Sequence, residues 1–254
     1  MLLRTRVALM LAIALAIPAH AQPRRWQFAT EPFAPYTYEQ GGQAAGPMVE
    51  VLVEVCQRMK IQCRIDVLPW RRALSAAERG QIDGVFTVVD VPERRAAFHV
   101  SAPVMEARYT FFAPTTSGFA FQRAEDLRGR TIGVYGPSAS SRTLQALAEG
   151  TDAEISVEVD NPTVLRKLQA GRYGPQGLAF ANEMVAEALI ADQSITGLHA
   201  AGVATRFNYS FGLSRQRVPE ADARRFDAIL GQLCRSGWLQ EVLSRHRMQA
   251  AACQ

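Results

Sequence analysis

Residues 70–103 read WRRALSAAERGQIDGVFTVVDVPERRAAFHVSAP. Trp70, Ala73, Leu74 and Ala77 recur at helical spacing, and Gly80 stops that helix. A short apolar strand follows at 84–89, and a turn then carries Pro92 with the paired Arg94 and Arg95. An aromatic residue, Gly-x-x-Asp, Pro-Glu-Arg and Ser-x-Pro succeed one another in that order, an arrangement suited to one wall of a small-molecule cleft.

The surrounding chain extends this pattern in both directions. Residues 26–29 read as a strand, followed by a polar loop containing Pro32, Pro35, Gly41, Gly42, Gly46 and Pro47. Val49, Leu52, Val53, Cys56 and Met59 then keep helical spacing over 48–60, and 61–68 alternates as a strand. Strand, helix, strand, helix, strand of this length means a parallel sheet with crossover helices. The pattern restarts after Ala113, with strands at 131–135, 155–159 and 178–181. Helices are expected from Gly136-Pro137-Ser138 to about Ala148, at 163–168 and at 183–190. A strand at 209–213 and helices at 221–233 and 239–247 close the chain. Two similar units make two lobes, with crossings near 109–113 and 206–211. The expected fold is therefore α/β and two-lobed, each lobe a mostly parallel sheet flanked by helices. The first lobe takes residues 22–112 and a return segment at 207–254, and the second takes 113–206.

Residues 1–21 have the form of an export leader: Arg4 and Arg6, an eleven-residue apolar run at 7–17, and the small-x-small site Ala19-His20-Ala21. The run is shorter than the ~20 apolar residues of a spanning helix, and no cysteine follows it for lipid attachment. The mature chain is expected to begin at Gln22 and to be soluble and periplasmic. Losing the leader removes two of 28 basic residues and none of 24 acidic ones, which leaves a modest charge of about +2. The arginines are scattered among acidic residues, so no nucleic-acid site is expected. About 233 residues, nearly half apolar, can bury a sizeable core.

Four cysteines in an exported chain favour disulfides over metal. Six residues separate Cys56 from Cys63 and eighteen separate Cys234 from Cys253; these local pairings are the simplest of three connectivities. On the chain-entropy model the shorter loop would contribute about 2.5 kcal/mol. Neither pair has close metal-ligand spacing, and no histidine accompanies them, so no metal site is expected.

The ordered motifs resemble those of bacterial periplasmic solute-binding proteins of the polar amino-acid type, the type II periplasmic-binding-protein fold that serves ABC importers. Phe33-Ala34-Pro35-Tyr36 looks like that family's aromatic-x-Pro-aromatic loop, and Cys56-x6-Cys63 matches a disulfide spacing seen in its lysine/arginine/ornithine- and histidine-binding members. Trp70, Gly80-Gln81-Ile82-Asp83-Gly84, Pro92-Glu93-Arg94, Ser101-Ala102-Pro103 and Asp126-Leu127-Arg128-Gly129 follow in the family's order. The resemblance implies a monomeric receptor without cofactor that closes on an amino acid or related small carboxylate and hands it to an inner-membrane ABC permease. It assigns the ligand's carboxylate to Arg94, with Arg95 a competitor, because an arginine fork can make two parallel hydrogen bonds to a carboxylate. Phe33 and Trp70 would stack on the ligand, Thr87 would offer a hydroxyl, and Ser138 would present a helix N-terminus to an anion. Asn182 occupies the place where amino-acid binders carry an aspartate for the ammonium group, and Glu183 beside it is the candidate substitute. Val89 stands where the family often has a hydroxyl residue.

Two other classes use the same fold. One is an enzyme resembling the cyclohexadienyl dehydratases, for which Glu183 and His99 are the available acid or base. Yet residues 22–254 hold only three scattered histidines, His99, His199 and His246, and show no G-x-S-x-G or H-E-x-x-H signature. The other is a ligand-sensing accessory of a membrane receptor. Capture without catalysis is the expectation.

Overall fold

The computed structural model describes residues 24–253, so the expected leader at 1–21 lies outside the described residues. The chain opens with β1 (Arg25–Thr30), a small hairpin of β2 (Tyr38–Gln40) and β3 (Gln43–Ala45), and helix α1 (Pro47–Met59). Next come β4 (Gln62–Val67), α2 (Trp70–Glu78), β5 (Gly84–Val89), α3 (Pro92–Ala97) and β6 (Phe98–Val100). The long β7 (Met105–Pro114) leads to β8 (Thr131–Tyr135), α4 (Ala139–Leu147), β9 (Glu154–Glu158), α5 (Asn161–Gln169), β10 (Leu178–Asn182) and α6 (Glu183–Asp192). The longer β11 (Leu198–Ser214) returns, and α7 (Glu220–Arg235) and α8 (Trp238–Arg245) end the fold.

Local chemistry explains these boundaries. Pro47 starts α1 where its missing N–H costs nothing, and Lys60 ends the helix in the left-handed region. That turn brings β4 back beside the helix, so Cys56 bonds to Cys63 with Cα atoms 6.2 Å apart. Cys234 at the end of α7 bonds to Cys253 and ties down the C-terminus.

Nine strands form one sheet among the described residues, in the order β4-β1-β5-β11-β7-β10-β8-β9, with β6 also on β11. β1 is parallel to β4 and β5, and β8 is parallel to β9 and β10, so each end is a parallel block with crossover helices. Antiparallel β7 and β11 join the blocks as a ribbon, with irregular register between Ala200 and Thr205. α1, α7 and α8 pack on the first block around Leu52, Phe211, Phe226 and Leu243. Around the second block, one apolar cluster holds Ile132, Leu144 and Phe180, and another holds Phe112, Val164 and Leu168.

The sequence reading gave no strand at β6 or β7, and three further segments differ from it. The arginine turn is helix α3, too short for its periodicity to show, with Pro92 in its first turn. The polar loop contains the β2–β3 hairpin. The strand expected at 209–213 begins at Leu198, because residues without strong strand patterning gain their backbone partners from β7.

The Gly80–Gly84 motif is structural. Buried Asp83 accepts hydrogen bonds from the Gln27 amide (2.8 Å) and Arg217 Nε (3.2 Å), and its backbone carbonyl accepts from the Ser214 amide. Gly84 lies so close to its neighbours that a Cβ would meet the Gly212 carbonyl and the Phe28 ring at 2.7 Å. Gly84→Ala is expected to destabilise the protein by about 1–3 kcal/mol through overpacking, read as a lower urea midpoint with an unchanged slope.

Candidate functional site

Crevices in open α/β sheets lie beyond the carboxyl ends of parallel strands. Here Glu31 follows β1, Thr87 and Val89 end β5, and Ser138 follows β8. These residues converge with Trp70, Arg94, Tyr109, Ala139, Ser140 and Tyr209 around a cavity of about 40 Å³ between the two blocks. That volume suffices for a water or a few, so entry of any larger ligand requires the blocks to part. A larger groove of about 940 Å³ lies elsewhere, over α7 and the β6–β7 turn. We take the small cavity as the candidate site because both blocks supply its walls and its polar groups are buried.

Arg94 is 8% exposed and stands on α3. Its Nη1 donates to Glu78 Oε1 at 3.0 Å, and its guanidinium lies 6.0 Å from the Trp70 ring centroid. Glu78 and the aromatic face hold the fork while most of its donors remain uncommitted. Arg95, one residue on, points the other way: exposed, it pairs with both oxygens of Asp90 at 2.6 and 2.5 Å. Consecutive residues on a short helix diverge by about 100°, so only one of the pair can face the cavity.

Thr87 sits at φ +63°, a rare conformation for a β-branched residue. The β5–β11 register steps from Val88–Ser210 to Phe86–Phe211 and leaves Thr87 without a ladder partner. The bulge turns this residue into the cavity, and such strain is held in place by the surrounding packing. Thr87→Gly is expected to stabilise the fold by on the order of 1 kcal/mol, measured by urea unfolding. Ser138 caps α4: its Oγ accepts from the Ser141 amide, its own amide donates to Ser141 Oγ at 3.0 Å, and it also lines the cavity.

The structure brings Trp70, Thr87, Arg94 and Ser138 together and leaves out Phe33, Asn182 and Glu183. Phe33 packs beneath the cleft, stacked on Tyr36 and edge-on to Tyr209. Asn182 is buried as the cap of α6. Its Oδ1 accepts from Tyr36 Oη and the Val185 amide, and its Nδ2 donates to Tyr209 Oη, all at 3.1 Å. Glu183 is committed elsewhere, 2.6 Å from Arg108 Nη2 and accepting from Thr110 Oγ1 at 2.7 Å. Asn182 and Glu183 thus lie off the cavity lining, with their side chains engaged by Tyr36, Tyr209, Arg108 and Thr110. His99, the other acid–base candidate, lines the larger groove.

Glu31 is the acid that the sequence reading missed. It is half-buried, and its carboxylate accepts from Tyr135 Oη at 3.3 Å, across the cleft. Burial pushes its pKa up to about 7, against a smaller lowering by the tyrosine hydrogen bond. Its position at the end of a parallel strand was the available signal. The folded protein holds this proton more tightly than the unfolded chain, so Glu31 favours folding fully below about pH 4.5. That contribution is lost as pH rises through about 7. In melts at fixed ionic strength from pH 4.5 to 8, Glu31→Gln is expected to remain more stable than wild type at the alkaline end and to flatten the decline.

The model of bacterial extracellular solute-binding proteins, family 3, matches residues 27–247. The chain belongs to this family. Among solved structures, a histidine kinase sensor domain with similarity to periplasmic binding proteins aligns at TM-score 0.78 and 20% identity, covering 90% of this chain and 99% of its own. An ancestral arginine-binding protein bound to arginine aligns at 0.75 and 16%, covering 87% and 97%. An amino acid ABC transporter substrate-binding protein from Streptococcus pneumoniae, bound to L-arginine, aligns at 0.73 and 17%, covering 87% and 93%. These likenesses show the shared two-lobed fold of this solute-binding protein. No curated protein matches the chain. No helix among the described residues is long and apolar enough to cross a membrane, and no three or more His, Cys, Asp or Glu side chains there are grouped so as to hold a metal ion.

Proposed function

We infer that this solute-binding protein captures a small carboxylate-bearing solute, an amino acid or a related acid, in the periplasm and delivers it to an inner-membrane ABC permease. The observation that carries this reading is Arg94, buried at the cavity and held by Glu78 and Trp70 with donors to spare. A guanidinium so placed can bind a carboxylate through parallel hydrogen bonds. Trp70 would contribute an apolar face, Thr87 a hydroxyl, Ser138 the first turn of α4, and Glu31 the one carboxylate at the cavity wall.

Capture would proceed by hinge closure of a monomer. Residues 22–112 with 207–254 would form one lobe and 113–206 the other, bending at the β7–β11 ribbon. The Glu31–Tyr135 hydrogen bond would open with the cleft. Trapped ligand would stabilise the closed form in proportion to its affinity for it. Catalysis is the weaker reading, since Glu183 and His99 lie away from the cavity and leave Glu31 as the single carboxylic acid on its wall, without a second carboxylate or a histidine beside it. Ligand sensing for a membrane receptor would use the same clamp, and the likeness to a sensor domain supports keeping it as the second reading.

Purified protein is expected to gain thermal stability and change tryptophan fluorescence with at least one small carboxylate in a panel of amino acids and organic acids. Arg94→Ala should weaken that binding by at least tenfold. Equal responses from Arg94→Ala and wild type would remove Arg94 from the site.

A further inference from the structure

Arg142 lies in α4, two residues after Ser140, the last residue of that helix to line the cavity. Its guanidinium Nη2 is sealed from solvent and has no hydrogen-bond partner. Among the described residues the side chain makes no ion pair. Proteins rarely leave a buried cationic donor incomplete unless something else completes it.

The imbalance extends across the cleft. Burial lowers the proton affinity of Arg94 and repulsion from Arg142 lowers it further, against smaller opposing effects of Glu78 and Glu93, which places the two guanidiniums within reach of each other's field. Glu78 offers Arg94 a single contact and is itself partly exposed. Glu31 turns to Tyr135, Glu183 is held by Arg108, and Asn182 carries no charge, so none of them neutralises the pair. At the mouth, a groove of about 650 Å³ between the blocks is lined by Arg71 and Arg72, and neither makes an ion pair among the described residues. A cleft whose arginines outnumber the acids paired with them attracts anions and speeds their arrival.

We propose that the clamp is built for a ligand with two anionic groups: a dicarboxylate, with or without an amino group, one carboxylate taken by Arg94 and the other by Arg142 from the opposite wall. This rests on the capture reading and narrows it. Closure then brings the second arginine onto the ligand, so a diacid reports both lobes and a monoacid only one.

Calorimetry at constant pH and ionic strength tests it with succinate, glutarate and adipate against their monoamides, L-glutamate against L-glutamine, and inorganic phosphate. At least one diacid is expected to bind tenfold or more tightly than its monoamide. Arg142→Gln should erase that ratio, whereas Arg94→Gln should weaken diacid and monoamide alike. Arg142→Gln should also melt higher than wild type without ligand, because it removes a half-buried cation that makes no ion pair among the described residues. Equal affinity for diacids and monoamides would overturn the proposal and leave carboxylate capture standing. Tighter binding of phosphate than of every diacid would overturn it too, as would a lower ligand-free melting temperature in Arg142→Gln. Absence of binding by every carboxylate would remove the capture reading as well.

Discussion

The antiparallel pairing of β7 with β11 is the constraint on which the rest of the molecule depends. These strands satisfy each other's backbone groups from Leu198–Pro114 at one end to Tyr209–Met105 at the other, and so thread one sheet through two separate cores. Parallel blocks with helices over them resist bending, because every strand is locked by its neighbours and by side-chain packing. The ribbon between them is narrower, and its register is interrupted between Ala200 and Thr205. Relative motion of the blocks, as proposed for capture, would be least costly there. The cavity lies beside the same ribbon, with Tyr109 and Tyr209 contributed by its two strands.

Polar bookkeeping around the ribbon determines which residues remain available to a ligand. Tyr36, Asn182 and Tyr209 form a chain of hydrogen bonds in the interior, and a satisfied buried network of this kind rigidifies its surroundings. Arg108, Thr110 and Glu183 complete a second polar group nearby. Both consume side chains that would look free in a one-dimensional list. What is left on the cavity is Glu31, its pKa pushed up to about 7 by burial, and Arg94 with unused donors. Arg142, two residues beyond Ser140 on α4, has a buried donor that meets no acceptor among the described residues.

Much of the architecture was legible in the chain. Helical spacing in 48–60 and the alternation after it anticipate α1 and β4, and the loop between them is short enough for Cys56 to meet Cys63. Gly84 and Asp83 could be recognised as a motif, although their work is to pack against Phe28 and to hold the Gln27 amide. The six-residue α3 was not legible, since fewer than two turns carry no usable period. Nor was the first half of β11, whose residues are strand because β7 lies alongside.

For the site, residue type and order were enough to nominate Trp70, Thr87, Arg94 and Ser138, because each chemistry is local: a ring, a hydroxyl, a fork and a helix cap. Sequence alone could not choose between Arg94 and Arg95, which share composition and neighbourhood and differ in the direction that a short helix gives them. It also could not tell that Asn182 and Glu183 were already engaged, because their partners Tyr36, Tyr209 and Arg108 are distant in the chain. The order of residues 70–103 thus pointed to one wall of a cleft between the two blocks. Only tertiary structure decided which charges face that cleft, because burial and long-range pairing establish whether a charged side chain is spent or still available.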